Sequence, residues 1–539
     1  MHVPGNSPAM ILQKMQLGSV TTTRQCRPRG PRCADATSRR GAPPPAPRGR
    51  AVTLSRWLAV AACLGLAGCA SGATDGRGPD PPARAEGPGS PAPPGPAGAA
   101  LRAPELRADP RPCEAGTGFE CSTLRVDLDR SGRATGVAGR LTLRVAVQSG
   151  GGPPKGYLVY LTGGPGQPGL PSATGVRERL GSVARGYGLV LVDQRGTGAG
   201  ALDCPRLQRS VGSSDVAIAA RGSVEECARQ IGSRRANFTT ADTVADLEDL
   251  RQALGAERLT LVGVSYGSFV AERYALTHPD RVRSLILDSV VAQRGADALL
   301  VSTMAAVPRV LRAVCGEVRC RGDVAADLRA ALAFGADDVA LLDALVARSI
   351  GQPRLGDVPA ALRQAARGRL EGLERLASEA RDEAADVPPE RFSAGLHAAT
   401  LCAESDVPWA DATALPADRE QGLAQARAQL TPARLGGFEA ATAVENGLAD
   451  TCRRWPPLEQ APPVPAGPLP PVPTLLLSGE LDLSTPVEDA RRQVLRAPRG
   501  TLVVIPGAGH SVLSTDASGC ALRAAERFLA ARPVPARCG

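Results

Sequence analysis

Between residues 263 and 267 the chain reads Gly-Val-Ser-Tyr-Gly, a serine with a glycine two positions away on each side. A serine hydroxyl acts as a nucleophile only when a base takes its proton and a sharp backbone turn exposes it. Small residues on both sides permit such a turn. The apolar stretch LTLVGVS leads into Ser265 and FVAERYAL, with helical spacing, leads out of it. Ser265 therefore stands where a strand gives way to a helix, which is the context a nucleophile requires. An ordinary glycine-rich turn would share the glycines without needing the serine.

A serine nucleophile needs an imidazole within reach. Beyond residue 69 the chain offers His278, His397 and His510. His278 ends the helix after the serine, too far from the strand tips, and His397 lies in a helical stretch. His510, in Gly507-Ala508-Gly509-His510-Ser511, follows the last strand and is the expected base. A third group must orient the ring and stabilise its charge. Asp482, in the loop after the next-to-last strand, is the expected carboxylate, with Asp288 and Glu480 as rivals. The order Ser…Asp…His is that of α/β-hydrolases, and both aspartates preserve it. The loop setting favours Asp482.

A tetrahedral intermediate also needs backbone N–H donors for its oxyanion. Tyr266, directly after the serine, is one candidate. Gly164, in Gly163-Gly164-Pro165-Gly166 after the strand YLVYLT, is the other, with Gly163 beside it. Residues 164–169 also spell G-x-G-x-x-G, and Asp193 ends the next strand, which imitates a dinucleotide fingerprint. Two prolines remove N–H groups that a pyrophosphate would need, and LPSATG is a poor helix opening. No cofactor is expected, and no metal, since no C-x-x-C pair accompanies the few histidines.

The elements that must carry these residues alternate. Strands are expected at 122–128, 141–147, 157–161, 189–193, 259–264, 284–288, 474–478 and 502–505. Several are continuous apolar runs, as for strands covered on both faces, and helical stretches separate them. From 291 to 465 strand patterns vanish and helical spacing takes over. The reading is a mostly parallel eight-stranded sheet, its parts at 113–290 and 466–539, interrupted by a helical cap at 291–465.

The net charge of +9 is not a nucleic-acid signal. Up to Cys69 there are ten bases against one acid, and the remainder carries 53 of each. A domain without a positive surplus lacks the general footprint for phosphates. Arg48, Arg50 and Arg56, the apolar WLAVAACLGL and Leu66-Ala67-Gly68-Cys69 form an export signal ending in a lipobox-like site. Residues 1–69 are read as an upstream extension plus this signal, with Cys69 lipidated or the chain simply cleaved. Val52 or Leu54 could be the true start. Residues 70–112, rich in Pro, Gly and Ala, read as a tether. The expected location is the cell surface or the exterior. Ten further cysteines suit an oxidising compartment. Sequential neighbours, 113–121, 204–227, 315–320, 402–452 and 520–538, are a plausible pairing, which spacing alone does not settle.

These motifs together resemble peptidase family S33 of the α/β-hydrolases, which holds proline iminopeptidases and secreted tripeptidyl aminopeptidases. Thr162-Gly163-Gly164-Pro165-Gly166 looks like that family's HGGPG loop with Thr in place of His. Asp193-Gln194-Arg195-Gly196-Thr197-Gly198 looks like its DQRG-x-G segment. CRRWP at 452–456, GELDLSTP, GAGH, Cys520 and Cys538 resemble the tripeptidyl-aminopeptidase C-terminal region. The resemblance runs from about residue 110 to the end. It implies an α/β-hydrolase fold and acyl transfer: Ser265 attacks a carbonyl, His510 moves the proton, and water releases the acyl-enzyme.

An aminopeptidase must hold a free α-ammonium, so a carboxylate has to face the pocket. Glu404 is the expected one, since Cys402 can fix its segment to Cys452, and Glu445 is the reserve. Trp409 and Trp455 line an apolar pocket or pack in the core. The expected activity is an exported serine exopeptidase acting on peptides with free N-termini. The membrane surface is reached through a lipid anchor at most. A carboxylesterase on the same residues is the alternative, and a non-catalytic surface binding protein a third reading of another class.

Overall fold

The computed structural model describes residues 103–130, 139–150, 153–385 and 387–538. The expected export signal, Cys69 and most of the stretch read as a tether lie outside them. Among the described residues nine strands form one sheet in the order β1-β2-β3-β5-β4-β6-β7-β8-β9. They are β1 Leu106–Ala108, β2 Phe119–Asp127, β3 Arg140–Gln148, β4 Tyr157–Leu161, β5 Gly188–Val192, β6 Leu259–Val264, β7 Val282–Asp288, β8 Thr474–Gly479 and β9 Gly500–Ile505. β1, β2, β3 and β5 pair antiparallel in turn, and every pair from β5 onward in that order is parallel.

The count of eight strands is corrected by β1. It lies in the stretch read as tether, is mostly exposed, and is held by backbone pairing to β2. Three residues without apolar alternation leave no period-two signal.

Apolar side chains pack on both faces of the sheet, which is why β6 and β8 are buried along their whole length. Helices Thr240–Ala253 and Tyr266–Thr277 cover one face, where Leu247, Phe269 and Tyr274 cluster with Leu261 and Leu285. Ala173–Leu180 and Cys520–Leu529 supply Val176, Ala521 and Ala525 to a cluster with Leu158 and Leu475 on the other. Arg195 of the DQRG-x-G segment is buried and bonds Asp246 at 2.7 Å together with three backbone carbonyls, so this segment ties β5 to the neighbouring helix.

Between β7 and β8 run nine helices among the described residues, from Val301–Val318 to Gly447–Arg454. Eight of them contribute to a core that includes Leu311, Leu342 and Phe438, while Ala394–Glu404 packs in a separate cluster with Leu207, Phe238 and Trp455. Leu481 and Leu483, from the loop after β8, are buried in the first of these clusters. Asp482 is thereby wedged between two residues anchored in the helical layer. All five sequential cysteine pairs are disulfide-bonded, which fits an exported protein in an oxidising compartment. Among the described residues no helix is long and apolar enough to cross a membrane.

Candidate active site

Ser265 follows the last residue of β6 and opens helix Tyr266–Thr277 with φ 56° and ψ −126°. A non-glycine residue at positive φ is held there by its surroundings. Here the Ser265 N–H donates to the Asp288 carbonyl at 2.9 Å. The flanking glycines are required by space. A Cβ at Gly263 would stand 2.2 Å from the Gly267 carbonyl oxygen, and one at Gly267 would stand 2.2 Å from that of Leu161. Gly267→Ala is therefore expected to cost more than about 1 kcal/mol of stability and to abolish turnover. A thermal melt beside an activity assay checks both, and an unchanged midpoint would contradict the packing argument.

The loop after β4 lies against the serine, since a Cβ at Gly163 would approach Ser265 Cβ to 2.9 Å. Thr162 closes this loop on itself by donating from Oγ1 to the Gln167 carbonyl at 2.8 Å. Gln194 Nε2 donates to the Thr162 carbonyl at 3.3 Å. Gly164 has φ +104°, open to glycine alone without strain, and lines a cavity together with Ser265 and Tyr266. The Tyr266 amide is the first of the helix, and such N–H groups lack intrahelical partners.

His510 and Asp482 meet after β9 and β8. The Asp482 carboxylate is wholly buried. Its Oδ1 accepts from the amides of Ser484 and Thr485, both at 2.9 Å. Its Oδ2 accepts from Thr485 Oγ1 at 2.8 Å and from His510 Nδ1 at 2.9 Å. With the Nδ1 proton directed at a carboxylate, Nε2 is left with the lone pair a general base uses. Thr485 Oγ1 also lies 3.2 Å from His510 Nδ1. Ser349, at the end of helix Asp338–Ser349, holds both loops. Its carbonyl accepts from the His510 amide at 2.9 Å and its Oγ from the Leu483 amide at 3.2 Å. Burial opposes the charged ring, but Asp482, with Asp288 and Asp215 further off, raises its pKa above the ordinary histidine value.

The rival carboxylates are engaged elsewhere. Asp288 accepts from the amides of Val512 and Leu513 at 3.0 and 2.8 Å and from Ser289 Oγ at 3.0 Å, fixing the turn just past His510. Burial pushes its pKa up to about 6. Glu480 accepts from the Gly507 amide at 3.1 Å. Asp482 is thus the acid hydrogen-bonded to the imidazole. His278 packs on Tyr274 with ring centroids 5.1 Å apart, away from the cavity.

Glu404 is buried and lines the cavity that holds Ser265. It accepts from the Thr240 amide, at the start of helix Thr240–Ala253, and burial pushes its pKa up to about 7. Glu445, the reserve, is an exposed residue paired with Arg427 at 2.9 Å. Neither tryptophan lines the cavity. Trp455 is buried, its carbonyl accepting from Arg419, whose guanidinium lies 5.6 Å from the Trp409 ring centroid. The cavity's charged lining residues are Asp215, Asp297, Glu404 and Asp489, all acidic. Sequence reasoning missed Asp215, Asp297, Asp489 and Thr485. Among the described residues no group of three or more His, Cys, Asp or Glu could hold a metal.

Comparison with known proteins places this site in context. Residues 157–310 match the family described as alpha/beta hydrolase fold, and residues 438–538 the family described as TAP-like protein. Tripeptidyl aminopeptidase of Streptomyces lividans is 34% identical over 154 residues, 25% of this chain and 29% of the relative. Serine protease Hip1 of Mycobacterium tuberculosis is 31% identical over 191 residues, 32% of this chain and 36% of the relative. Proline iminopeptidase of Neisseria meningitidis is 28% identical over 163 residues, 30% of this chain and 42% of the relative. The matched stretch is thus less than half the length of each of these relatives.

Proposed function

We propose that this chain, an α/β hydrolase with a TAP-like C-terminal region, is an exported serine exopeptidase. It releases short peptides or single residues from free N-termini through an acyl-enzyme. One observation carries the reading. Ser265, at a strained strand-to-helix turn, opens onto a cavity lined by four carboxylates; Asp215 and Asp489 are paired with His397 and Arg492, whereas Glu404 and Asp297 accept from neutral backbone amides. A cavity of that sign suits an α-ammonium group. Thr485, which lines that cavity, is within hydrogen-bond reach of both members of the imidazole–carboxylate pair. The names of the three relatives given above point the same way.

In the proposed reaction Ser265 Oγ attacks the scissile carbonyl while His510 Nε2 takes its proton. Asp482 keeps the ring oriented and stabilises its charge. The amides of Gly164 and Tyr266 hold the oxyanion. His510 then protonates the leaving amine, and water, deprotonated by the same ring, releases the acyl group. No cofactor enters these steps.

The test is a substrate panel on the mature protein. An unblocked tripeptide anilide is expected to exceed its N-acetylated counterpart by at least about 100-fold in kcat/KM, because the blocked amine brings no charge to pair with the buried Glu404 carboxylate. Equal rates on the two, with a short-chain nitrophenyl ester faster than both, would make the protein a carboxylesterase.

The pH dependence follows from two groups. His510 must be neutral to accept the serine proton, and its pKa is raised, so the acid limb of kcat/KM is expected above the ordinary histidine value. Glu404 must be ionised to pair an ammonium, and it takes up a proton as pH falls through about 7. KM for the free-N-terminus anilide should therefore rise below pH 7. Glu404→Gln should raise that KM by roughly 30-fold and flatten its pH dependence. Rates on the nitrophenyl ester, which has no ammonium, should hold. A KM that ignores both pH and this substitution would remove Glu404 from the role.

Lipidation of Cys69 is part of the same reading. Incorporation of an alkynyl fatty acid in cells, lost in Cys69→Ser, would support it, and a soluble unlabelled product would leave plain secretion.

A further inference from the structure

His397 has both ring nitrogens engaged. Nδ1 lies 2.9 Å from the Pro165 carbonyl oxygen, and Nε2 lies 2.6 Å from Asp215 Oδ1. A carbonyl oxygen only accepts, and so does an ionised carboxylate. Two acceptors on one imidazole call for two N–H groups, which is an imidazolium paired with a carboxylate. Burial works against that charge, but Asp215 and the Pro165 carbonyl outweigh it, so the pKa of the ring is raised.

Pro165 sits between the glycines of the loop that lies against Ser265. The start of helix Ala394–Glu404 grips the same loop a second time, through the Ser393 amide donating to the Gly166 carbonyl at 3.1 Å. A Cβ at Gly166 would stand 2.9 Å from the Ser393 carbonyl oxygen, so loop and helix are in close contact. On its other side Asp215 lines the cavity with Ser265, and its charge reaches His510. The helix therefore bears on the loop near one end and carries Glu404 at the other.

Few other charged groups face the ring. From helix Asp338–Ser349, Asp343 accepts from Ser214 Oγ at 2.6 Å, beside Asp215, and Arg381 of Glu371–Ala385 acts on Asp343. Phe392 covers the ring with centroids 5.2 Å apart.

We propose that His397, held as an imidazolium by Asp215, is a positioning residue that keeps the Gly164 amide aimed at the oxyanion. The inference rests on the Ser265 reading above. When the ring loses a proton, the remaining one stays on Nε2, where the acceptor is charged and the hydrogen bond stronger. Nδ1 then turns a lone pair on the Pro165 carbonyl and the loop is released. Oxyanion stabilisation acts on the transition state, so the loss falls on kcat.

The test compares wild type, His397→Gln and His397→Ala on the tripeptide anilide. A peptidyl trifluoromethyl ketone, whose serine adduct carries an oxyanion, and the product tripeptide, a ground-state ligand, are measured beside it. Both variants are expected to lose up to about 100-fold in kcat, as for a misplaced catalytic group, with KM within about threefold. The ketone should weaken in step with kcat/KM and the product should bind as before. The alkaline limb of kcat in wild type should be missing from both variants and should move to lower pH in Asp215→Ala. Product affinity falling in step with kcat would mark a merely structural role and overturn the proposal, as would an unchanged kcat or a limb that persists. If wild type neither cleaves the anilide nor takes a fluorophosphonate at Ser265, the hydrolase reading itself fails and this proposal goes with it.

Discussion

Ser265→Ala and His510→Ala are each expected to lower kcat by about 10⁶-fold, and the double variant is expected to be no slower than either single one. The non-additivity is the informative part. A hydroxyl without its base is a poor nucleophile, and a base without its hydroxyl has nothing to activate, so removing either removes the same step. Both proposed partners lean on one residue. Ser265 is fixed through its amide to the Asp288 carbonyl, and the turn after His510 is fixed to the Asp288 carboxylate. One residue at the tip of β7 thus sets both partners. Single-turnover kinetics on the anilide check the claim. Two single losses that multiply in the double variant would show independent roles and contradict it.

Asp482→Asn is expected to lower kcat about 10⁴-fold, whereas Asp288→Asn should change kcat less than about tenfold. Both residues are fully buried carboxylates near His510, so burial does not separate them. Hydrogen bonding does. Asp482 Oδ2 receives His510 Nδ1 at 2.9 Å, and an amide there can present N–H to the ring and favour the wrong tautomer. Asp288 spends its carboxylate on the amides of Val512 and Leu513. The substitution should appear as a lower thermal midpoint, because Asn keeps only one acceptor oxygen and leaves one of these two buried backbone donors facing an NH2 group. A reversed pattern, with Asp288→Asn the slower enzyme, would move the catalytic carboxylate to β7.

Much of this arrangement was legible before any coordinates, and for physical reasons. Continuous apolar runs marked the buried strands, and the small residues around Ser265 marked a turn that tolerates nothing larger. Chain order does not choose between Asp482 and Asp288, because both precede His510; what favours Asp482 is its hydrogen bond to one ring nitrogen. Glu404 was approached through its neighbour Cys402, whose disulfide to Cys452 is present. β1 left no pattern, since its pairing is made by the backbone alone. The Asp215–His397 pair joins residues 182 apart, and nothing local in either segment announces it. The sequence places His397 in a helical stretch, as the structure has it, but that helix folds back onto the loop beside Ser265. The four acids of the cavity come from four separate stretches of chain, so the sign of that cavity is a property of the fold alone.

Every step of the proposed reaction requires Ser265 Oγ to be the atom that forms a covalent bond. Mass spectrometry of the folded protein after treatment with a fluorophosphonate, followed by digestion, tests this most directly. A single adduct is expected on the peptide containing Ser265, slowed in His510→Ala and absent from Ser265→Ala. An adduct on a different serine, or none on the folded wild-type chain, would contradict it.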